Sequence, residues 1–163
     1  MPPPYDDHEQ NVLDQIEEHG FHSIGVFDDK GVAPNFRYSI GFTKTLNAPE
    51  IIIFGLPLDM MHNMLWEVFR QMQAGARVEH GKRWSDLLEG FDCVSVEADH
   101  PALFTEYATW SNWFWKTQGH DGHPPVYQIV WPGARDGLFP WEASCAEEVI
   151  AAQPQLWSKP VPT

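Results

Sequence analysis

Strand and turn signals alternate in the first third of the chain and lead into a helix, and this run constrains the fold more than any other feature. Residues 21–27 and 36–42 are rich in β-forming side chains, and they flank the turn-forming sequence Asp28–Gly31. Such a pattern predicts a β-hairpin. Residues 51–54 then form an unbroken apolar run of strand length, which indicates a central strand covered on both faces.

Three segments carry apolar residues at the spacing of an amphipathic helix. The first covers residues 6–19 and ends at Gly20. The second begins after Pro57 and ends at Gly75, and the third runs from Asp99 towards residue 119. Their apolar positions are Val12, Leu13 and Ile16, then Met60, Met61, Met64, Leu65, Val68, Phe69 and Met72, then Leu103, Tyr107, Trp110 and Phe114.

Further strand signals lie at residues 91–97 and 126–131, with a return strand expected at 138–141. The sequence therefore predicts a single α+β domain with a mostly antiparallel sheet flanked by about three helices. A closed or split barrel is an alternative arrangement of the same strands. We expect the domain to occupy residues 1–163, with a core at about 6–157 and loose termini at 1–5 and 158–163.

The net charge, the cysteine content and the lack of long apolar runs argue against several classes of partner, site and location. The formal net charge is −13, and the basic residues form no run, so we expect neither nucleic acid nor an anionic membrane as partner. Cys93 and Cys145 are too few and too far apart for a zinc motif or a disulfide framework. With no secretory signal and no apolar run of membrane-spanning length, the sequence favours a cytoplasmic location.

Three ordered motifs together resemble a known family. They are FRYSIGF at residues 36–42, PEIIIFGLP at 49–57, and QIVWP followed by DG and FPWE between 128 and 142. With these motifs the chain resembles the bacterial family catalogued as domain of unknown function 4262, over about residues 20–157. That family is named for having no assigned activity, so the resemblance implies kinship and leaves the chemistry open.

Residues 24–72 are also similar to the opening of split-barrel flavin reductases. In that superfamily the loop after the second strand donates hydroxyl and amide hydrogen bonds to the flavin phosphate. The resemblance implies that Ser39, Thr43 and Lys44 bind such a phosphate here, with Arg37 nearby, and it makes flavin mononucleotide (FMN) a cofactor candidate. A dianionic phosphate is bound well by several donors and a cation held by backbone.

Aromatic residues suggest a second part of the same site. Trp131 and Trp141 flank one turn, and we expect them to form a rigid aromatic wall with Glu142 at its rim, unless Glu142 pairs with Arg135 on the surface. Trp113 points away from the apolar stripe of its helix, so it is a candidate for a pocket wall or a protein contact.

Signatures of metal binding and catalysis are weak. His120 with His123, and His19 with His22, have metal-ligand spacing, but two pairs without a third ligand favour a solvated turn and no metal site. Cys93 lies on the apolar side of an alternating strand, which favours a buried thiol over a nucleophile. No common hydrolase, kinase or protease motif is present, so whether the protein is an enzyme stays open.

Two functions fit these observations. The first is binding of a small molecule or cofactor, a flavin or another phosphate-bearing ligand, near Arg37–Lys44 and the Trp131–Glu142 turn. The second is a non-enzymatic interaction module, in which Trp113 and Trp141 contact a protein partner or a second copy of the chain in a homodimer. Convergence of Arg37, Thr43 and Lys44 on one pocket would favour the first, whereas side chains that point apart would argue against a flavin.

Overall fold

A computed structural model describes residues 5–162. The expected loose termini fall partly outside this range, at residues 1–4 and 163. Within it, the helices are α1 (Asp7–His19), α2 (Phe42–Thr45), α3 (Leu58–Gln73), α4 (Thr109–Thr117) and α5 (Glu147–Ala152), with a π-helical turn at Leu103–Tyr107. The strands are β1 (His22–Val26), β2 (Phe36–Ile40), β3 (Glu50–Phe54), β4 (Lys82–Leu88), β5 (Phe91–Glu97) and β6 (Val126–Val130).

The six strands form one open sheet in the order β1-β2-β3-β6-β5-β4. The pairing of β3 with β6 is parallel, and the four other pairings are antiparallel. The prediction of a single α+β domain with a mostly antiparallel sheet is therefore confirmed, and the sheet does not close into a barrel.

Local chemistry explains why α1 begins and ends where it does. Asp6 accepts a hydrogen bond from the amide of Glu9 at 2.8 Å, and the Glu9 carboxylate accepts one from the amide of Asp6 at 2.9 Å. This capping box satisfies donors that the first helical turn leaves unpaired. The helix ends at Gly20, whose φ of 94° is in the left-handed region that glycine adopts without strain.

The sheet lies between two helical layers. On one face α3 packs its apolar stripe against β3 and its neighbours, through Met61, Met64, Leu65, Val68, Phe69 and Met72. On the other face α1 and α4 pack against the central strands, and the segment around Trp157 covers β5 and β6. The five residues of β3 are all buried, in agreement with the central strand predicted from its apolar run.

Two predicted elements differ from the structure. The helix expected over 99–119 is divided into the π-helical turn and α4, because the amide of Ala108 bonds back five residues to the carbonyl of Leu103 at 2.7 Å. The return strand expected at 138–141 is wrong. The amide of Phe139 bonds to the Glu142 carboxylate at 2.9 Å, and Pro140 has no amide hydrogen to give a strand.

β4 is a strand that the sequence did not indicate. Its pairing with β5 shifts register between Trp84 and Leu88, and Asp86 has a φ of 66°. This irregularity removes the strict alternation of apolar and polar residues by which a strand is recognised. In the part of the chain that the structure describes, no helix is both long and apolar enough to cross a membrane.

Candidate functional site

A cavity of about 380 Å³ opens at the sheet edge formed by β1, between the C-terminal half of α1 and the first turns of α3. Side chains from α1, β1, β2 and α3 line it, and they are Gln15, His19, Phe21, His22, Ser23, Arg37, His62 and Trp66. Its volume is within the range usual for small-molecule sites. None of these lining residues is acidic, although the chain contains 23 Asp and Glu residues.

The hydroxyl of Ser23 joins the two sides of this cavity. Arg37 donates a hydrogen bond from Nη1 to Ser23 Oγ at 2.8 Å, and Nδ1 of His62 lies 2.8 Å from the same oxygen. Ser23 and Arg37 lie on the paired strands β1 and β2, whereas His62 comes from α3. The contact therefore depends on how α3 packs against the sheet.

Trp66 determines which tautomer His62 adopts. Its indole nitrogen Nε1 lies 3.2 Å from Nε2 of His62. An indole N–H can only donate, so Nε2 of His62 carries no proton, and the proton of the neutral ring is on Nδ1. Nδ1 therefore donates its hydrogen to Ser23 Oγ.

This tautomer excludes one chemical interpretation of the site. A Ser–His catalytic pair would need His62 to accept the Ser23 proton at Nδ1, and that nitrogen is already protonated. Ser23 Oγ instead accepts two hydrogen bonds, from Arg37 and from His62. Its own hydroxyl hydrogen has no acceptor within residues 5–162, so it is available to a ligand.

Arg37 is a cation with few partners. Its only hydrogen bonds in the described chain go to Ser23, and it forms no ion pair there. Among the described side chains, Nε of Arg37 is the one buried nitrogen or oxygen atom that makes no hydrogen bond. Burial lowers the pKa of Arg37, an effect that the charge of Asp59 opposes. The guanidinium nevertheless stays charged.

Two imidazoles near Arg37 are held neutral. Burial lowers the pKa of His22 from its usual value, and positive charge on His8 and on Arg37 lowers it further. Burial and Arg37 also lower the pKa of His62, while Asp59 acts in the opposite direction. Protonating His62 would in addition place an N–H against the indole N–H of Trp66. An anion bound beside Arg37 would favour the protonated form of these two imidazoles.

The hydroxyl and amide donors predicted to bind a phosphate converge on a carboxylate of the chain itself. Glu50 Oε1 accepts hydrogen bonds from Ser39 Oγ at 2.8 Å and from the amide of Phe42 at 3.0 Å. Glu50 Oε2 accepts from the amide of Gly41 at 2.8 Å and from Thr43 Oγ1 at 3.5 Å. The loop is thus a cradle for an anion, and Glu50 occupies it.

The structure separates the predicted site residues into different places. Of these residues, Arg37 alone lines the β1-edge cavity, and Lys44 is exposed beyond the Glu50 loop. Trp131 donates its indole hydrogen to the carbonyl of Phe54 at 2.7 Å. Trp141 stacks on Phe139 with ring centroids 5.0 Å apart, in the cluster on β5 and β6. Arg37, Thr43 and Lys44 therefore do not converge on this cavity, and that any of the predicted residues binds a ligand stays a prediction.

Glu142, His120 and His123 have local partners, whereas His19 and His22 line the β1-edge cavity. The Glu142 carboxylate accepts the amide hydrogen of Phe139, which closes a turn. His120 stacks on Trp115 at 4.0 Å, and His123 stacks on Phe104 at 4.6 Å, so each ring packs against a different aromatic residue. Within residues 5–162, no three His, Cys, Asp or Glu side chains are grouped so as to hold a metal ion.

Several residues of the cavity were not identified from the sequence. His62, Ser23 and Trp66 were not among the site residues predicted from the sequence. The contact between His62 and Trp66 could have been predicted, because these residues are four positions apart and so share one side of α3. No sequence signal joins Ser23 to His62, which is 39 residues away along the chain.

The fold and the cavity together define an α+β domain with a donor-lined pocket at one sheet edge. The family model described as Domain of unknown function (DUF4262) matches residues 15–146 of the 163 residues. The chain therefore belongs to this family, as the three motifs indicated. No curated protein and no solved structure matches the chain.

Proposed function

We propose that this protein binds a small phosphate-bearing molecule in the β1-edge cavity, with Arg37 as the principal cation. The proposal rests on the composition of the cavity lining. Hydrogen-bond donors surround the cavity and no carboxylate lines it, although the chain has a net charge of −13. A cation kept half-buried without an ion pair costs free energy, and an anionic ligand would recover it.

The available donors suit a phosphate. The hydroxyl of Ser23 has a hydrogen to give, the guanidinium of Arg37 has N–H groups beyond the one bonded to Ser23, and His22 has a ring N–H. Hydrogen bonds between such groups and an anion are about twice as strong as those between neutral groups. Trp66 and Phe21 add apolar surface on which the rest of a ligand can pack.

A calorimetric titration tests the proposal with three probes. Inorganic phosphate represents the anion alone, FMN represents the flavin prediction, and riboflavin is the same ring system without the phosphate. We expect phosphate and FMN to bind, and riboflavin to bind much more weakly. Equal binding of FMN and riboflavin, with no binding of phosphate, would contradict the proposal.

Variants of Arg37 assign the binding to this cavity. Arg37→Met removes the charge and the donors, and we expect it to weaken phosphate binding about tenfold or more, since a hydrogen bond to a charged group contributes about 1.5–3 kcal/mol. Arg37→Lys keeps the charge and should retain part of the affinity. Arg135→Met is the matched control, because Arg135 is exposed in a turn away from the cavity. Similar losses in the Met variants of both arginines would refute the assignment.

A further inference from the structure

A second cavity, of about 260 Å³, has walls of a different chemical character. Trp110 and Trp113 of α4 form two of its walls, and Thr109 and Glu9 complete the lining. The two indole rings are 5.1 Å apart between centroids and inclined at 71°, so they form an aromatic corner. Both indoles are half-buried, which leaves part of each ring accessible from the cavity.

Neighbouring aromatic rings hold the two indoles in this orientation. Tyr5 packs edge-on against Trp113 with centroids 5.8 Å apart, and His8 packs edge-on against Trp110 at 4.7 Å. Each indole therefore contacts an aromatic ring of the N-terminal segment as well as the core. A corner held in this way is already organised for a ligand, which reduces the entropy lost on binding.

Glu9 supplies negative charge at the rim of the aromatic corner. Its Oε1 accepts the amide hydrogen of Asp6 at 2.9 Å in the capping box of α1, and Oε2 accepts no hydrogen bond within the described chain. Asp6 and Asp7 are close by in sequence and add to the negative potential at this end of α1.

We propose that this corner binds a small organic cation with a quaternary ammonium group. The faces of indole rings carry negative partial charge and attract such a cation, and the carboxylate of Glu9 adds a Coulombic attraction. A primary ammonium has three N–H donors and would leave most of them unpaired against the indole walls, whereas a methylated ammonium has none. The site is independent of the phosphate proposal, because it is a different cavity selecting the opposite charge.

Two-dimensional NMR of the whole protein provides the test, with the indole N–H signals of the eight tryptophans as probes. Tetramethylammonium and choline are titrated at constant ionic strength, and 3,3-dimethylbutan-1-ol is the neutral analogue of choline. We expect both cations to shift the signals of Trp110 and Trp113 saturably in the millimolar range, and the neutral analogue to do so much more weakly. Equal binding of choline and its neutral analogue would refute the proposal, because an apolar pocket alone would explain it.

Substitution of Glu9 separates charge from folding. Glu9→Gln keeps the capping box, since glutamine also serves at this position, and removes the negative charge. We expect it to weaken choline binding roughly two- to fivefold. Glu17→Gln makes the same change of charge on an exposed part of α1 outside the cavity and should have no effect. Equal affinities in the two variants would overturn the role of Glu9.

Substitution of Trp113 tests the aromatic wall. Trp113→Leu keeps an apolar side chain and removes the ring, and we expect a loss of roughly two- to fivefold in choline affinity. Trp115→Leu is the control on the same helix, because Trp115 packs on His120 and lies outside the cavity lining. If Trp113→Leu leaves choline binding unchanged while the fold is intact by NMR, the aromatic corner is not the site.

Discussion

The hydroxyl of Ser39 donates a hydrogen bond to Oε1 of Glu50 at 2.8 Å, inside the protein and away from solvent. The same oxygen of Ser39 accepts the amide hydrogen of Ile51 at 2.9 Å. Ser39 thereby connects the end of β2 to the beginning of β3 through a buried carboxylate. The Glu50 carboxylate organises the loop between these strands, in the place where a flavin phosphate was predicted from the sequence.

Burial of Glu50 makes the stability of the protein depend on pH. Burial raises the pKa of Glu50 to about 7 from an ordinary value of 4.5, against the opposing effect of the hydrogen bonds that it accepts. Between these two values the folded protein binds more protons than the unfolded chain, so the contribution of Glu50 to stability is lost as pH rises.

The Glu50→Gln variant isolates this contribution, because glutamine does not titrate. Urea unfolding at several pH values should show that, from pH 4 to pH 8, the wild type loses on the order of 3 kcal/mol relative to the variant. The new amide also faces the amide of Gly41, but this penalty is constant with pH and cancels in the comparison. Glu106→Gln, at an exposed position, is the control. Parallel pH profiles of wild type and Glu50→Gln would contradict the prediction.

The long, regular elements could be predicted from the sequence, because local chemistry decides them. The capping box of α1, the stripe of α3 and the β-forming residues of β5 each lie within one short stretch of chain, although residues 93–96 of β5 are all buried and do not alternate with exposed ones. The division at Ala108 could not be predicted, because it depends on tertiary contacts. Ser111 of α4 donates to the carbonyl of Ser39 at 2.8 Å, a partner 72 residues away.

The candidate site was harder to predict than the fold. The resemblance to flavin reductases implied that donors in the segment 36–44 bind a phosphate, and it did not indicate that the Glu50 side chain would accept their hydrogen bonds. A glutamate at the start of an otherwise apolar strand is a signal, since a buried carboxylate needs donors and the preceding loop supplies them. The cavity around Ser23 and His62 needs the packing of α3 on β1, which no single segment encodes.

Replacing Trp66 should change the protonation of His62. Trp66→Phe removes the indole N–H and leaves Nε2 of His62 free to bind a proton, so the pKa of His62 should move back towards its usual value. An NMR titration of the His62 ring measures this change. Trp131→Phe removes an indole N–H that bonds to a backbone carbonyl elsewhere, and it should leave His62 unaffected. If the pKa of His62 is the same with and without the Trp66 indole, the assigned tautomer is wrong.

The two cysteines should differ in reactivity. Burial raises the pKa of Cys93 to about 12, and its side chain has no exposed surface. Cys145 is partly exposed, although burial and the neighbouring Asp136 and Glu142 raise its pKa as well. Since the thiolate is the reactive form, iodoacetamide at pH 8 should label Cys145 slowly and Cys93 at least about a thousandfold more slowly than in the unfolded chain.

A Cys145→Ser variant leaves Cys93 as the single thiol, and its rate of labelling, followed by mass spectrometry, then reports the opening of the core. Denaturant should accelerate this rate in step with global unfolding. Rapid labelling of Cys93 in the native variant would show that this thiol is not buried in the core.

Anion binding in the β1-edge cavity should be coupled to proton uptake by His22. The imidazole is neutral in the free protein because burial and the nearby positive groups lower its pKa, and a bound dianion would raise that pKa. The complex then holds more protons than the free protein, so affinity increases as pH falls. Trp66 holds His62 neutral, and Asp59 on α3 and Glu18 on α1 are the nearby carboxylates. We expect His22 to take up at most about one proton, which gives an affinity gain of up to about tenfold per pH unit.

Sulfate is the appropriate probe, because it stays a dianion between pH 5.5 and 8 whereas phosphate does not. Calorimetric titrations over this range should give stronger sulfate binding at lower pH in the wild type. They should give a flatter profile in His22→Gln, which keeps a donor and cannot titrate. His100→Gln is the control, because His100 is exposed and lines a different cavity. An affinity that rises with pH, or a slope unchanged in His22→Gln, would mean that His22 does not take up the proton.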